Sequence, residues 1–242
     1  MGIVSRLRTA TGRIRGKGPA DMFRYAARRT LEHRYERHFG IDTATEIQPA
    51  ALGSDDADAV HYAPSPYNAF FGAIKLVDAD LPASVFVDYG SGLGRIVICA
   101  ATLPFRRVIG IELAQALNRR ARDNLEAARS RLACTDVQLV NANAAGWRVP
   151  CDVNVVHFYN PFLNDTLRRS VAELARSLRE MPRELWIVFG SPWQMSRLMA
   201  SGDPLPLPWQ KETRDFRWPF YRDISATDPD GNRYRVFRID SR

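Results

Sequence analysis

The stretch that decides the fold is "VFVDYGSGLGRIVICAA", residues 85–101. Its centre, Gly90-Ser91-Gly92-Leu93-Gly94, sets three glycines between an apolar run with strand character and a second run with helix character. A strand that turns through glycines into a helix presents main-chain N–H groups at the helix N-terminus, with no Cβ to keep a ligand away. The spacing is G-x-G-x-G, and Arg95 stands where the dinucleotide fingerprint has its third glycine. Asp88 precedes the turn. Glu112 closes the next apolar run, "VIGIE" (108–112), where a carboxylate can accept hydrogen bonds from both hydroxyls of a ribose. A glycine turn with an acid on either side predicts a site for a nucleoside-type cofactor.

Outward from this turn the chain alternates. Short runs rich in Val, Ile and Phe at 84–89, 107–112, 136–140, 152–159 and 184–190 read as buried strands. Between them Leu117, Ala121, Leu125, Ala128 and Leu132, then Leu167, Val171, Leu174 and Leu178, recur at helical steps of four and three. At the end, "WPFYRDISAT" (218–227) and "RYRVFRI" (233–239) flank the turn "DPDGN" and predict a hairpin. Upstream, Asp21 is a candidate N-cap for a helix through "MFRYAARRTLEHRYERHF" (22–39), closed by Gly40. Ser65 and Pro66 offer an N-cap and first-turn pair for a helix with Tyr67, Phe70, Phe71, Ile74 and Val77 on one face. The expected fold is α/β: a three-layer sandwich around a mostly parallel seven-stranded sheet, with a C-terminal antiparallel hairpin and an N-terminal helical extension.

A chain of 242 residues with 45% hydrophobic and 25% charged residues suits a globular protein with a sizeable core. No apolar run reaches the roughly 20 residues that span a bilayer, so no transmembrane segment is expected. The net charge of +7 is local: residues 1–40 hold ten basic and three acidic residues, and the remainder balances. A basic arm can attract phosphates or an anionic surface, but a solvated tail with a polar helix is the favoured reading, because Arg outnumbers Lys along the whole chain. Cys99, Cys134 and Cys151 form no close-spaced pair and read as buried reduced thiols, in keeping with a cytoplasmic protein. An Arg-rich, acid-poor start is also what a mitochondrial transit peptide has.

With these residues in place, "VDYGSGLGRIVICAA" followed by "VIGIEL" resembles motif I and the following acidic motif of class I S-adenosylmethionine-dependent methyltransferases, over about residues 60–240. The resemblance implies S-adenosyl-L-methionine as cofactor, bound by Asp88, Gly90, Ser91, Gly92, Gly94 and Glu112. Asn143, in "VNANAAGW", takes the place of the acid the family has near the adenine amino group. Tyr62, in "HYAPSPYNAF", lies where the small protein-lysine methyltransferases of the family have a segment that closes over the cofactor. The fourth strand runs into "HFYNPF" (157–162), where relatives that methylate amines have Asn or Asp followed by proline or an aromatic. The resemblance therefore implies Asn160 as the catalytic residue, its oxygen accepting amine hydrogens, with Tyr159, Pro161 and Phe162 walling the acceptor pocket. No metal is required, since a sulfonium is already a good leaving group.

The expected organisation is a basic arm and helix over 1–58 and a methyltransferase domain over 59–242. The expected activity is methyl transfer to an amine, protein lysine first, with nucleic acid as a less favoured partner of the basic arm. Two other readings stay open: an NAD(P)-dependent oxidoreductase, and a non-catalytic nucleoside-binding interaction module. His157 reads as a core histidine, His33, His38 and His61 have no metal-ligand spacing, and Asp152 reads as a solvated strand start. Trp193, Trp209 and Trp218 read as packing or pocket-wall residues, and "GDPLPLPW" (202–209) as a connector or an edge of the substrate opening.

Overall fold

A computed structural model describes residues 18–48, 62–159, 162, 164–190, 224–227 and 233–240. The elements are α1 (Pro19–Phe39), α2 (Tyr67–Ile74), β1 (Val85–Tyr89), α3 (Arg95–Ala101), β2 (Arg107–Glu112), α4 (Gln115–Ala128) and β3 (Val137–Asn141). They continue as β4 (Val153–Tyr159), α5 (Asn164–Glu180), β5 (Glu184–Gly190), β6 (Ile224–Thr227) and β7 (Arg233–Asp240). The strands form a single sheet in the order β3-β2-β1-β4-β5-β7-β6. β1 to β5 pair in parallel, and β7 inserts antiparallel between β5 and β6.

The strand order reverses between β1 and β4, and in a doubly wound sheet the crevice beyond the carboxyl ends of the strands at such a switch point is where ligands bind. Alternation along each strand splits the core into two layers. Phe86, Val108, Val155, Val188 and Val236 face α2, α3 and α4. Val85, Val87, Ile109, Val153, Val156 and Ile187 face Leu174 and Leu178 of α5. This is the three-layer sandwich expected from the alternating pattern.

Local chemistry shifts several boundaries. α1 begins two residues before Asp21, because Pro19 takes the first helical turn, where its fixed φ is favourable and its missing N–H costs nothing. Its C-terminus matches expectation: Gly40, at φ 72°, closes the helix with its N–H on Glu36 O. Ser65 does not cap α2, whose N-cap is Pro66. The Ser65 hydroxyl is instead buried against the Tyr234 hydroxyl of β7, a partner 169 residues away. Cys99 and Cys134 are buried and Cys151 only partly so, and all three are free thiols. Asp152, half exposed, pairs with Arg106 and Arg107 at 2.8 and 2.6 Å rather than standing free in solvent. No helix among the described residues is long and apolar enough to cross a membrane. The connector at 202–209, His61 and Trp193, Trp209 and Trp218 lie outside the described residues.

Candidate active site

The glycine turn is held by its own backbone. Gly90 and Ser91 both donate to Ile111 O at 2.9 Å, and Gly94 donates to Ser91 O at 2.8 Å, so the loop is fastened to the end of β2 before any side chain acts. Gly90, Gly92 and Gly94 all have positive φ (74°, 54° and 83°). Two of the three also need the absent Cβ for space. At Gly92 a methyl group would collide with the Tyr62 ring, and at Gly94 it would lie 3.1 Å from Ala121 Cβ, where α4 crosses the loop.

Glu112 completes the turn from the neighbouring strand. Its Oε2 accepts from Gly92 N–H and its Oε1 from Ala114 N–H, both at 2.8 Å. The carboxylate thus bridges the glycine loop and the start of α4. Both oxygens have an amide partner, and a carboxylate has about four acceptor positions in all, so acceptor capacity remains for a ribose hydroxyl. Burial pushes the Glu112 carboxyl above the usual glutamate range, against the opposing pull of the Ala114 and Gly92 amides. The Gly92 amide is therefore committed to the carboxylate, and the carboxylate rather than that amide is the group offered to a ribose.

The other predicted cofactor residues divide. Ser91 Oγ is buried and has no hydrogen-bond partner among the described residues. Its Cβ is turned toward Gly110 of β2, where an added methyl group would lie 3.0 Å away, so the hydroxyl sits against the sheet. Leu113, 42% exposed directly after Glu112, adds an apolar surface that sequence reading did not single out. Asp88 is buried, and its Oδ1 lies 2.8 Å from Nδ1 of His157, its register partner on β4. His157 is fully buried, as expected of a core histidine; Asp88 meets its Nδ1, while its Nε2 has no hydrogen-bond partner among the described residues. Asn143 is exposed, and its Oδ1 accepts from Ala145 N–H at 2.9 Å, capping the short 3-10 turn Ala144–Gly146. Asn141 is the amide that reaches the acidic strand end, donating to Glu112 O and Leu113 O at 2.8 Å each.

At the end of β4, Tyr159 stacks on Tyr234, with ring centroids 6.0 Å apart. Phe162 is buried on the opposite side of the sheet, edge-on to Tyr89 and Phe158 at 6.3 Å each. The two rings expected to wall one pocket thus pack into different core layers. Asn160 and Pro161 lie outside the described residues.

Arg95 is the largest departure from expectation. It opens α3 directly after the loop and is almost fully buried. Its guanidinium pairs with Glu32 and, at 2.9 Å, with Glu36, both of α1. It also donates to Thr43 Oγ1 at 2.7 Å and to Ser65 O at 3.0 Å, and lies 4.3 Å above the Tyr67 ring. Thr43 O accepts from the Tyr62 hydroxyl at 2.9 Å, so the ring over Gly92 hangs from the same cluster. Asn124 of α4 adds a second tie, donating to Leu93 O at 3.0 Å and accepting from Asp42 N–H at 3.1 Å. The N-terminal segment is in this way bonded to the glycine loop from two directions. The only sequence signal for this was an Arg where the fingerprint has glycine, in a run of otherwise apolar residues. Among the described residues no cluster of His, Cys, Asp and Glu could hold a metal ion.

The model of the family described as "Histone methylation protein DOT1" matches residues 71–145, from α2 across the glycine turn and Glu112 to the segment after β3. No curated protein matches the chain in sequence. A solved structure of a human methyltransferase 10 domain containing protein is similar over 90% of this chain and 98% of its own, with a TM-score of 0.54 at 12% identity. An O-methyltransferase from Bacillus cereus, solved in complex with SAH, is similar over 79% of this chain and 85% of its own, with a TM-score of 0.51 at 12% identity.

Proposed function

The chain has the fold and the motifs of a class I S-adenosylmethionine-dependent methyltransferase, and from that premise we propose that it transfers the methyl group to an amine, with the side chain of a protein lysine as acceptor. The cofactor reading rests on one observation: the Glu112 carboxylate is pinned beside the glycine turn by the Gly92 and Ala114 amides. That arrangement fits a ribose, and the exposed Leu113 face fits the apolar surface of a nucleoside. When bound, the sulfonium supplies an electrophilic methyl group and a neutral thioether leaving group.

What the chain has to supply is position. In-line displacement needs the amine neutral and its lone pair aimed at the methyl carbon, and alignment of this kind accounts for much of the rate. The side-chain oxygen of Asn160, directly after β4, is suited to accept the amine hydrogens and so orient the lone pair. The departing proton goes to solvent. The histone-methylation family match over 71–145 supports a protein acceptor. Buried Arg95 leaves no glycine where a dinucleotide fingerprint has its third, which weighs against the oxidoreductase alternative. A non-catalytic module would bind cofactor and yield no product.

The test has three parts. Calorimetry with S-adenosylmethionine should show saturable binding to the folded protein, and no heat at about millimolar ligand would reject the cofactor. Asn160→Ala should keep cofactor affinity within about twofold while turnover falls by about two orders of magnitude or more, as the loss of a positioning group predicts. Equal loss of both would reassign Asn160. Mass spectrometry of a proteome incubated with the protein and deuterated cofactor identifies the atom that gains the methyl, and labelled lysine is the expected product.

A further inference from the structure

In the last eleven residues of α1, 29–39, six side chains are exposed: Arg29, Thr30, His33, Arg34, Arg37 and His38. None is acidic and none is apolar. Both acids of this stretch, Glu32 and Glu36, face inward and are bound to Arg95. Arg29, Arg34 and Arg37 make no ion pair among the described residues. The helix has therefore turned its negative charge toward the protein and left three uncompensated guanidinium groups on its outer face.

We propose that this outer face of α1 is a docking surface for nucleic acid, bound through its phosphates. The three arginines advance about 12 Å along the helix at 1.5 Å per residue. Nucleic acid, with its phosphates a few ångströms apart, offers several charges over such a span. The planar guanidinium fork also matches phosphate oxygens bidentately. The chain beyond residue 40 is balanced in charge, so it adds no net repulsion of a polyanion to this attraction.

An anionic membrane fits less well. A helix that lies in a bilayer interface inserts an apolar face, and Phe23 is the one exposed large apolar side chain among the described residues of α1, a single ring rather than a face. Tyr35 stacks on Tyr67 with centroids 4.5 Å apart, and Phe39 is buried in the core. The surface is tied to the glycine loop by the Arg95 cluster, which joins α1 to the start of α3. Its role does not depend on the acceptor atom: a held strand could present its own amine or deliver a bound protein.

The test uses the full chain and a fluorescein-labelled, mixed-sequence single-stranded RNA of about 20 nucleotides, with anisotropy titrations across a range of salt. Arg29→Gln, Arg34→Gln and Arg37→Gln combined should flatten the slope of log K against log salt by about 2, three contacts at about 0.7 each, and weaken binding at least tenfold at about 0.1 M salt. Replacing the three by lysine should keep most of the slope, since the charge is retained. Affinity for S-adenosylhomocysteine should be the same in all three proteins, which separates this surface from the cofactor site. An unchanged RNA slope in the glutamine variant overturns the proposal. It is also overturned if vesicles containing about 30% phosphatidylserine, and not RNA, lose binding in that variant, because the face would then dock on a membrane.

Discussion

At the scale of single residues, the glycines of the turn and Glu112 have different jobs. Gly92 gives room to the Tyr62 ring and holds a left-handed backbone, which costs other residues about 1–2 kcal/mol. Gly92→Ala should therefore destabilise the fold by more than that amount. Tyr62→Ala in the same chain should recover part of the loss, giving a coupling energy of about 0.5–3 kcal/mol in urea denaturation. Simple additivity would show that the ring is not what the glycine accommodates. Glu112 carries a pH dependence. Burial raises its carboxyl pKa in the folded state, so between the ordinary and the raised value the folded protein keeps a proton that the unfolded chain has released. By this group alone, stability falls as pH rises through that window. Cofactor binding has the opposite trend, because a protonated carboxyl gives up lone pairs. Affinity should weaken as pH falls through the raised value, above where an ordinary glutamate titrates. Glu112→Gln should bind weakly and show no such step, and a step that persists in calorimetry of this variant would assign it to another group.

At the scale of elements, the contact between α1 and α3 is held by a buried charge cluster rather than by apolar surface alone. Removing one side of a buried ion pair leaves the other charge stranded, at a cost of about 3–5 kcal/mol. Arg95→Met should therefore lower stability to denaturant by about that much, since it strands both Glu32 and Glu36. Adding Glu32→Gln and Glu36→Gln to Arg95→Met should restore a good part of it. A triple variant no more stable than the single one would mean that Arg95 matters through packing on Tyr67 rather than through charge. The five parallel strands, α4 and α5 were legible in the sequence because each repeats a period of two or of about 3.6 around a buried face. The helix starts were not, because Pro19 outcompeted Asp21 and because the Ser65 hydroxyl has a buried partner on β7. A capping pattern read locally cannot see a partner 169 residues away.

At the scale of the whole molecule, one sheet order accounts for both the site and the surface. The reversal between β1 and β4 brings the glycine turn, Glu112 and the end of β4 to one edge, and Arg95 turns the acids of α1 inward and its cations outward. The sequence by itself determined the layer architecture and the pairing of a glycine turn with Glu112, because periodicity and glycine chemistry act over a few residues. Only the tertiary structure decided that Asp88 is taken up by His157, that Asn143 caps its own turn, that Tyr159 and Phe162 lie in separate layers, and that Arg95 joins the N-terminal helix to the loop. The physical reason is the same in each case: a buried polar or aromatic group settles where it finds a partner, and that partner is set by the packing of distant segments.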